Sequence, residues 1–367
     1  MLCFANFGKL SGKRTPGIVE CLNKKKNFEK RFRNICIPGK SIWVGQGLSH
    51  IMKRATAIEY YDNKPTIKFE DDSTITSDCL VLAHGSISKF KLSSWRPSPS
   101  VRSYQERMAE LYFYREKLLK SFKIVVIGGG VVGVEMVCTI ADEFPEKQIF
   151  YLVSGPRLLE GMPSVLGVIA KNNISRRKNV KLYLDQGNVT FTEDGHEVTL
   201  KDGRIIEYDL LLPCIGTSVE TSIFPSIWVK NRQVNVNKFG CVVISDTDNN
   251  KFIPNVFAVG DCCNQTTDKS AKAGLEQVKA VLRNIQALAL GGAQRHPTHY
   301  FVPPIGFVVT LGNYTIVVEF GILRFVGFTR SGSSIFYPIK SFTFYRLALQ
   351  IDILWQYFTA NRDQLIE

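Results

Sequence analysis

A chain of 367 residues, 45% of them hydrophobic, can bury sizeable cores and has room for about two to three domains. Its nine cysteines form no C-x-x-C pair, no secretory leader pattern opens the chain and no run of about 18 uncharged apolar residues occurs, which argues against a disulfide-built secreted scaffold or a transmembrane helix and for a reducing compartment. The net charge of +13 is uneven: residues 1–54 hold twelve Lys/Arg and two Glu and supply +10, leaving +3 for the other 313 residues.

The basic N-terminal segment, centred on Lys24, Lys25, Lys26, Lys30, Arg31 and Arg33, has the charge to meet nucleic acid or an anionic membrane. Few aromatic residues interleave to stack on bases, so a solvated segment is the preferred reading and nucleic acid is not an expected partner. Beyond it, residues 55–58, 66–69 and 79–83 read as strands, the last running into Ala83-His84-Gly85-Ser86. Residues 103–121 have mixed charge and helical spacing and read as a helix.

The next thirteen residues, Lys123 to Glu135, read KIVVIGGGVVGVE. The apolar run 124–127 suits a parallel strand buried on both faces, and Gly128, Gly130 and Gly133 stand at the G-x-G-x-x-G spacing. The first glycine permits the tight turn, the second lets backbone approach a pyrophosphate, and the third lets the following helix pack on its strand with its N-terminus facing the anion. The motif also occurs as a plain strand-to-helix connection. Its flanking strand and helix favour a dinucleotide site.

A second crossover follows. Residues 148–153 read as a strand and 164–178 as a helix; 180–184, 189–191, 196–200 and 210–213 read as further strands, the last closing on Cys214-Ile215-Gly216. NAD-selective folds usually end the second strand with an acid that binds both ribose hydroxyls and repels a 2′-phosphate. Here the strand ends in Ser154 with Arg157 three residues on, so dual or NADPH-leaning use is expected, with Arg157 either pairing with the phosphate or standing as a solvated loop arginine.

A short apolar strand at 256–259 then leads into Gly260-Asp261 and a long helical pattern at 269–290. Asp261 reads as a helix-proximal cap or as an acceptor for sugar or ribitol hydroxyls. Cys262 and Cys263 are adjacent, a spacing that suits buried thiols better than a disulfide. His296 and His299 flank Pro297, which breaks helical ligand spacing, so no metal site is expected. Near the C-terminus, positions 344, 347, 348, 351, 354, 355 and 358 form an apolar stripe. A helix there is either buried or lies at a membrane surface, with burial favoured.

Taken together, residues 128–135, Ala258-Val259-Gly260-Asp261 and Leu82-Ala83-His84-Gly85-Ser86 resemble the two-dinucleotide flavoprotein oxidoreductases. Phe144-Pro145-Glu146-Lys147 with Tyr151-Leu152-Val153-Ser154, and Ala273-Gly274-Leu275 with Asn284-Ile285, resemble the apoptosis-inducing-factor-like branch of ferroptosis-suppressor type, with type II NADH dehydrogenases as relatives. The resemblance covers about residues 42–312. It implies an α/β fold of two three-layer Rossmann-like domains: an FAD domain split into 41–120 and 237–295, an NAD(P)H domain inserted at 121–236, and a small α+β domain at 296–367, after a basic segment at 1–40.

The resemblance further implies FAD and NAD(P)H as cofactors, hydride transfer from nicotinamide to flavin and a quinone or other small acceptor. In that family Gly128 to Gly133 hold the NAD(P)H pyrophosphate, with Gly129, Val131 and Val132 in the same turn. Asp261 contacts the ribitol-pyrophosphate part of FAD. Glu135 lies near the meeting point of nicotinamide and flavin, or is simply a charge well placed at a helix N-terminal turn, worth about 0.3 to 1 kcal/mol. Ala57, Ala83, Gly85, Gly216 and Gly260 complete the expected cofactor-binding set.

Departures accompany it. The family's first G-x-G-x-x-G is not found: the glycines at 8–12 and 45–47 lack the spacing and the preceding strand. Pro16-Gly17-Ile18-Val19-Glu20 then stands as a remnant of the second flavin strand, with Glu20 at the ribose, in a chain truncated upstream or drawn from a divergent gene model. His84 replaces the usual threonine. The C-x-x-x-x-C pair of disulfide reductases is missing, and of the type II dehydrogenase quinone motif only Gln277 remains. The competing function is a nucleotide-binding or interaction protein without productive FAD seating. Cytoplasm is the expected location, with membrane association or mitochondria as alternatives.

Overall fold

The computed structural model describes residues 51, 53–88, 103–191, 195–244, 251–265, 271–289, 307–312, 315–320 and 323–328. The basic segment with Glu20, the pair His296 and His299, and the expected helix at 344–358 lie outside the described residues. In chain order the strands are β1 (Ala55–Tyr61), β2 (Lys64–Phe69), β3 (Thr74–Thr76), β4 (Leu80–Leu82) and β5 (Ile87–Ser88). Helix α1 (Tyr104–Lys120), β6 (Lys123–Ile127), α2 (Val131–Glu143), β7 (Gln148–Leu152), α3 (Ser164–Ser175) and β8 (Val180–Tyr183) follow. Then come β9 (Thr190–Phe191), β10 (Glu197–Thr199), β11 (Ile205–Glu207), β12 (Leu210–Pro213), β13 (Thr217–Ser218), β14 (Val229–Lys230) and β15 (Gln233–Val234). The last are β16 (Cys241–Val243), β17 (Phe252–Ala258), α4 (Ala271–Ala289), β18 (Phe307–Thr310), β19 (Thr315–Phe320) and β20 (Leu323–Phe328).

Contacts divide these elements into two compact units. One holds the described residues up to Lys89 together with those from Thr217 to Ile305; the other holds those from Phe90 to Gly216 and from Gly306 onward.

The second unit is built on a four-stranded parallel sheet in the order β12-β6-β7-β8. Side chains alternate across a strand, and β6 shows both destinations. Ile124 and Val126 pack with Val134, Val137 and Ile140 of α2 and with Met108, Leu111 and Leu118 of α1. Val125 and Ile127 pack on the other face with Val198, Leu200 and Ile206 of the β9–β11 meander. All four are buried, and each such side chain contributes about 1.5–3 kcal/mol through burial.

Helix α1 starts at a capping box, in which Ser103 Oγ accepts the Glu106 N–H and the Glu106 carboxylate accepts the Ser103 N–H. Its other end is closed by the buried Lys147, whose ammonium donates to the carbonyls of Leu119 at 3.2 Å and Ser121 at 2.5 Å. The helix shares this unit's core, although pattern alone puts the boundary after it. The expected helix at 164–178 stops at Ser175: the Arg177 N–H turns back to the Ile174 carbonyl at 3.0 Å, and its guanidinium takes the Asn173 carbonyl. The C-terminal strand β18 also enters this core, with Val309 and Leu311 buried among the α2 and α3 side chains.

The start of β6 is fixed by a carboxylate. Asp209 Oδ2 accepts the N–H groups of Phe122 and Lys123, each at 2.7 Å. The bond from Lys123, followed by that from Phe122, holds the Asp209 pKa below its ordinary value. A depressed folded pKa contributes stability above the unfolded value of about 3.9, and that contribution is lost as pH falls through the folded value. An Asp209→Asn variant should therefore show a shallower fall of Tm with acid below about pH 4 than the parent chain. Superimposable acid limbs would count against this role.

The first unit contains the antiparallel sheet β1-β2-β3, the pairs β13-β5 and β14-β15, and a mixed sheet in the order β16-β17-β4. β17 runs parallel to β4 and antiparallel to β16. It begins at Phe252, four residues before the expected strand, since Ile253 already packs inward beside Val256 and Ala258. Its opposite face carries Phe257 against Val281 and Ile285 of α4.

Candidate functional site

The fingerprint turn is closed by backbone contacts that only glycine permits. Gly128 has φ +117°, and a Cβ there would lie 2.5 Å from the Cys214 carbonyl oxygen. A Cβ on Gly133 would lie 1.9 Å from the Gly128 carbonyl oxygen, so helix and turn meet backbone to backbone. The same carbonyl accepts the hydroxyl of Tyr151 at 3.1 Å. Tyr151 is fully buried, and burial raises its pKa well above the ordinary value, so it stays a hydroxyl donor. Its place in the motif is visible in the sequence, but its bond to the turn is not.

The turn opens at Gly130, the N-cap of α2, where an added Cβ would meet nothing within 4 Å. No side chain caps this helix, and its first internal bond is Val134 N–H to the Gly130 carbonyl at 3.0 Å. The N–H groups of Val131, Val132 and Gly133 thus have no helical acceptor. Uncapped N–H groups at the positive end of a helix dipole, beside an open glycine, fit a pyrophosphate. Gly129 lies within the turn and accepts the Leu159 N–H at 2.8 Å.

Glu135, one turn into α2 and half-buried, faces β18. Its Oε1 accepts the Thr310 N–H at 3.0 Å and the Thr310 hydroxyl at 2.8 Å. The other oxygen has no hydrogen-bond partner among the described residues. Sequence pattern could not show this pairing, because the two residues stand 175 positions apart.

At the end of β7, Ser154 is exposed. Arg157 is not directed at it: Nη1 donates to the carbonyls of Met162 at 3.1 Å and Leu159 at 3.4 Å, and Nη2 donates to the Glu160 carbonyl. The guanidinium braces its own loop. Gly216 follows β12 with φ +84° and open space beside it.

The flavin-motif residues gather at the ends of β4 and β17 in the first unit. Ser86 donates to Asp261 Oδ2 at 2.9 Å, and Asp261 lies in a 3-10 turn from Gly260 to Cys262. Gly260 donates its N–H to Gln277 Oε1, and Gln277 Nε2 donates to Gln265 Oε1 at 3.2 Å. Gln277, the residue kept from the quinone motif, therefore holds the Gly260–Asp261 turn. Ala83 packs beside Phe257 and Val259. His84 packs at a 45° tilt against Phe224 with ring centroids 5.1 Å apart, and its Nε2 is buried without a hydrogen-bond partner among the described residues. Burial depresses its pKa against the opposing pull of Glu220, leaving a neutral ring. Gly85 and Gly260 both have positive φ and open space.

An orphaned buried nitrogen, two open glycines and a fixed carboxylate fit the part of a flavin seat carried by the second flavin motif. Ala57 lies on the separate β1-β2-β3 sheet, at a register irregularity opposite Lys68. No pairing or hydrogen bond among the described residues ties it to that seat. Cys262 and Cys263 are buried thiols whose Sγ atoms donate to the Val259 and Gly260 carbonyls at 3.1 and 3.2 Å. A cleft of about 460 Å³ lined by Phe122, Lys123, His196 and Asp209 opens at the N-terminal ends of β6 and β12, the opposite end of those strands from the turn, and is no part of the site. Among the described residues no helix is long and apolar enough to cross a membrane.

Residues 17–283 match the family described as pyridine nucleotide-disulphide oxidoreductase. Similar curated proteins include ferroptosis suppressor protein 1 of Xenopus laevis, 26% identical over 215 residues that cover 56% of this chain and 55% of that protein. FAD-dependent oxidoreductase FVFD30 of Flammulina velutipes is 30% identical, covering 48% and 54%. Oxidoreductase ptaL of Pestalotiopsis fici is 25% identical, covering 82% and 78%. The chain spans about half the length of the first two. In fold it is similar to the reduced CoADR-RHD of Bacillus anthracis, with TM-score 0.60, 17% identity, and coverage of 84% of this chain and 55% of that one. A ferredoxin reductase from Rhodopseudomonas palustris gives TM-score 0.60 and 16% identity, covering 83% and 72%.

Proposed function

The chain belongs to the pyridine nucleotide-disulphide oxidoreductase family, and from that premise we propose that it oxidises NAD(P)H through FAD and passes the electrons to a quinone-like or other small acceptor. Family membership and the FAD-dependent relative imply FAD and NAD(P)H as its cofactors. Once bound, these supply the redox chemistry, a hydride moving from nicotinamide C4 to flavin N5 and two electrons with two protons completing a hydroquinone. The protein's own task is to bind, orient and exclude water. No C-x-x-x-x-C pair occurs in these 367 residues.

The observation that carries this reading is the fingerprint turn: a glycine closure with no room for a Cβ, leading into an uncapped helix N-terminus. Tyr151 fixes the turn through the Gly128 carbonyl, and the free N–H groups of α2 receive the pyrophosphate. Ser86 holds Asp261, which would accept the ribitol hydroxyls of the flavin. The quinone-like acceptor follows from the resemblance to the ferroptosis-suppressor type. The test is direct: the purified chain should carry a yellow flavin that bleaches on addition of NAD(P)H and recovers with a quinone. Colourless protein that binds nicotinamide nucleotides but reduces no quinone would overturn the enzyme and favour the nucleotide-binding alternative.

Glu135 provides a sharper check. In Glu135→Gln the amide oxygen still accepts both Thr310 bonds, so the substitution removes charge and little else. Flavin reduction should slow by about tenfold, equivalent to about 1.4 kcal/mol in the barrier, with Tm nearly unchanged. Unchanged reduction kinetics in a stopped-flow experiment would remove Glu135 from the site.

A further inference from the structure

The end of β7 is where this fold class discriminates between nicotinamide nucleotides, and the sequence places no acid there. The structure brings one in from the following loop. A Cβ built on Gly155 would lie 2.7 Å from both carboxylate oxygens of Glu160, so the carboxylate rests against the Gly155 backbone, one residue beyond Ser154. Glu160 is exposed, and its carboxylate has no hydrogen-bond or ion-pair partner among the described residues. The placement depends on Gly155, since a side chain there would displace the acid.

The loop that presents Glu160 is held on several sides. Leu159 N–H donates to the Gly129 carbonyl at 2.8 Å, which ties the loop to the phosphate turn. The side chains of Leu158 and Leu159 are buried in the core. Arg157 chelates the loop carbonyls, including that of Glu160 itself. On the other side, Asp185 and Gly187 donate N–H groups to the Gly155 and Ser154 carbonyls at 2.8 and 3.0 Å. Lys201, the cation on that side, is paired with Asp185 at 3.2 Å. Lys201 is therefore paired, the Arg157 guanidinium is held by loop carbonyls, and Glu160 is the carboxylate at the strand end without a partner among the described residues.

We propose that the Glu160 carboxylate, seated on Gly155 at the end of β7, is the specificity-determining group of the nicotinamide site. It accepts the adenosine ribose hydroxyls of NADH and repels the 2′-phosphate of NADPH. This rests on the nicotinamide reading above and reverses the NADPH leaning expected from Ser154 and Arg157. The discrimination comes from an unfavourable charge placed against the wrong ligand as well as from bonds to the right one.

Equilibrium titration of the full chain with ADP-ribose and with 2′-phospho-ADP-ribose tests it without hydride transfer. The parent chain should bind ADP-ribose at least about tenfold more tightly, and Glu160→Gln should reduce that ratio to about threefold or less. Glu160→Lys should favour the phosphorylated ligand. A parent chain that binds both equally, or a ratio unmoved by Glu160→Gln, overturns the specificity role and leaves the nucleotide site intact. If the parent chain binds neither ligand, the nicotinamide reading and this inference fall together.

Discussion

Gly133→Ala should abolish nicotinamide-nucleotide binding, with a loss of at least about 100-fold in affinity and a stability cost of about 1–3 kcal/mol or more. The added methyl would lie 1.9 Å from the Gly128 carbonyl oxygen, and that atom is not the end of a flexible side chain. It belongs to a turn whose first residue has φ +117° and stands against the Cys214 backbone. Relief requires α2 to lift from the turn or the turn to open. Either movement breaks the Tyr151 hydroxyl bond and misdirects the N–H groups of Val131 and Val132. Titration with ADP-ribose and a thermal melt on the same sample separate the two effects. Affinity within about twofold of the parent chain would mean that the turn is not the pyrophosphate seat.

Arg177→Met should cost about 1–3 kcal/mol of stability, the penalty for leaving a partly buried carboxylate short of its charged hydrogen-bond partner. Arg177 donates Nε to Asp142 Oδ1 at 2.8 Å and Nη2 to Asp142 Oδ2 at 3.1 Å. The side chains are 13% and 11% exposed, which separates this pair from the surface pairs. Burial opposes the charge, yet the Asp142 carboxylate outweighs it and raises the guanidinium pKa. Nη2 also donates to the Leu311 carbonyl at 3.0 Å, so the residue after β18 loses an anchor in the variant. Urea unfolding measures the difference. As a control, Lys201→Met breaks an exposed pair with Asp185 and should cost about 0–1 kcal/mol. Equal effects from the two variants would show that the buried pair has no special weight.

The elements that were legible in sequence are those with a strong local signal. β6, β7 and β12 are runs of apolar residues buried on both faces, α1 has a full capping box, and the fingerprint glycines punctuate the first crossover. The two-residue strands β13, β14 and β15 carry too few residues to show any period, and their pairing is set by contacts elsewhere in the chain. Pro254 interrupts the alternation of β17 and hides its first half. In the site, the glycine turn was legible from its spacing, whereas the flavin role of Asp261 is implied only by the family resemblance. The bracing of its own loop by Arg157 was not legible, because charge and position do not reveal which carbonyls surround a guanidinium. Glu160 was missed because it reaches Gly155 through a loop fold, with Leu159 at φ +54°, that spacing cannot encode. Thr310 was missed because nothing local marks it as the partner of Glu135.

An inserted nucleotide-binding unit is easily pictured as a cassette that recombination could move between genes. This one is closed by a strand encoded far downstream of its last sheet strand: Thr310 occupies the Glu135 carboxylate and the Leu311 carbonyl completes the Arg177 shell. A gene fragment ending near Gly216 would carry the whole fingerprint and still leave both polar groups short of partners. The folding unit is therefore the crossover together with its distant strand.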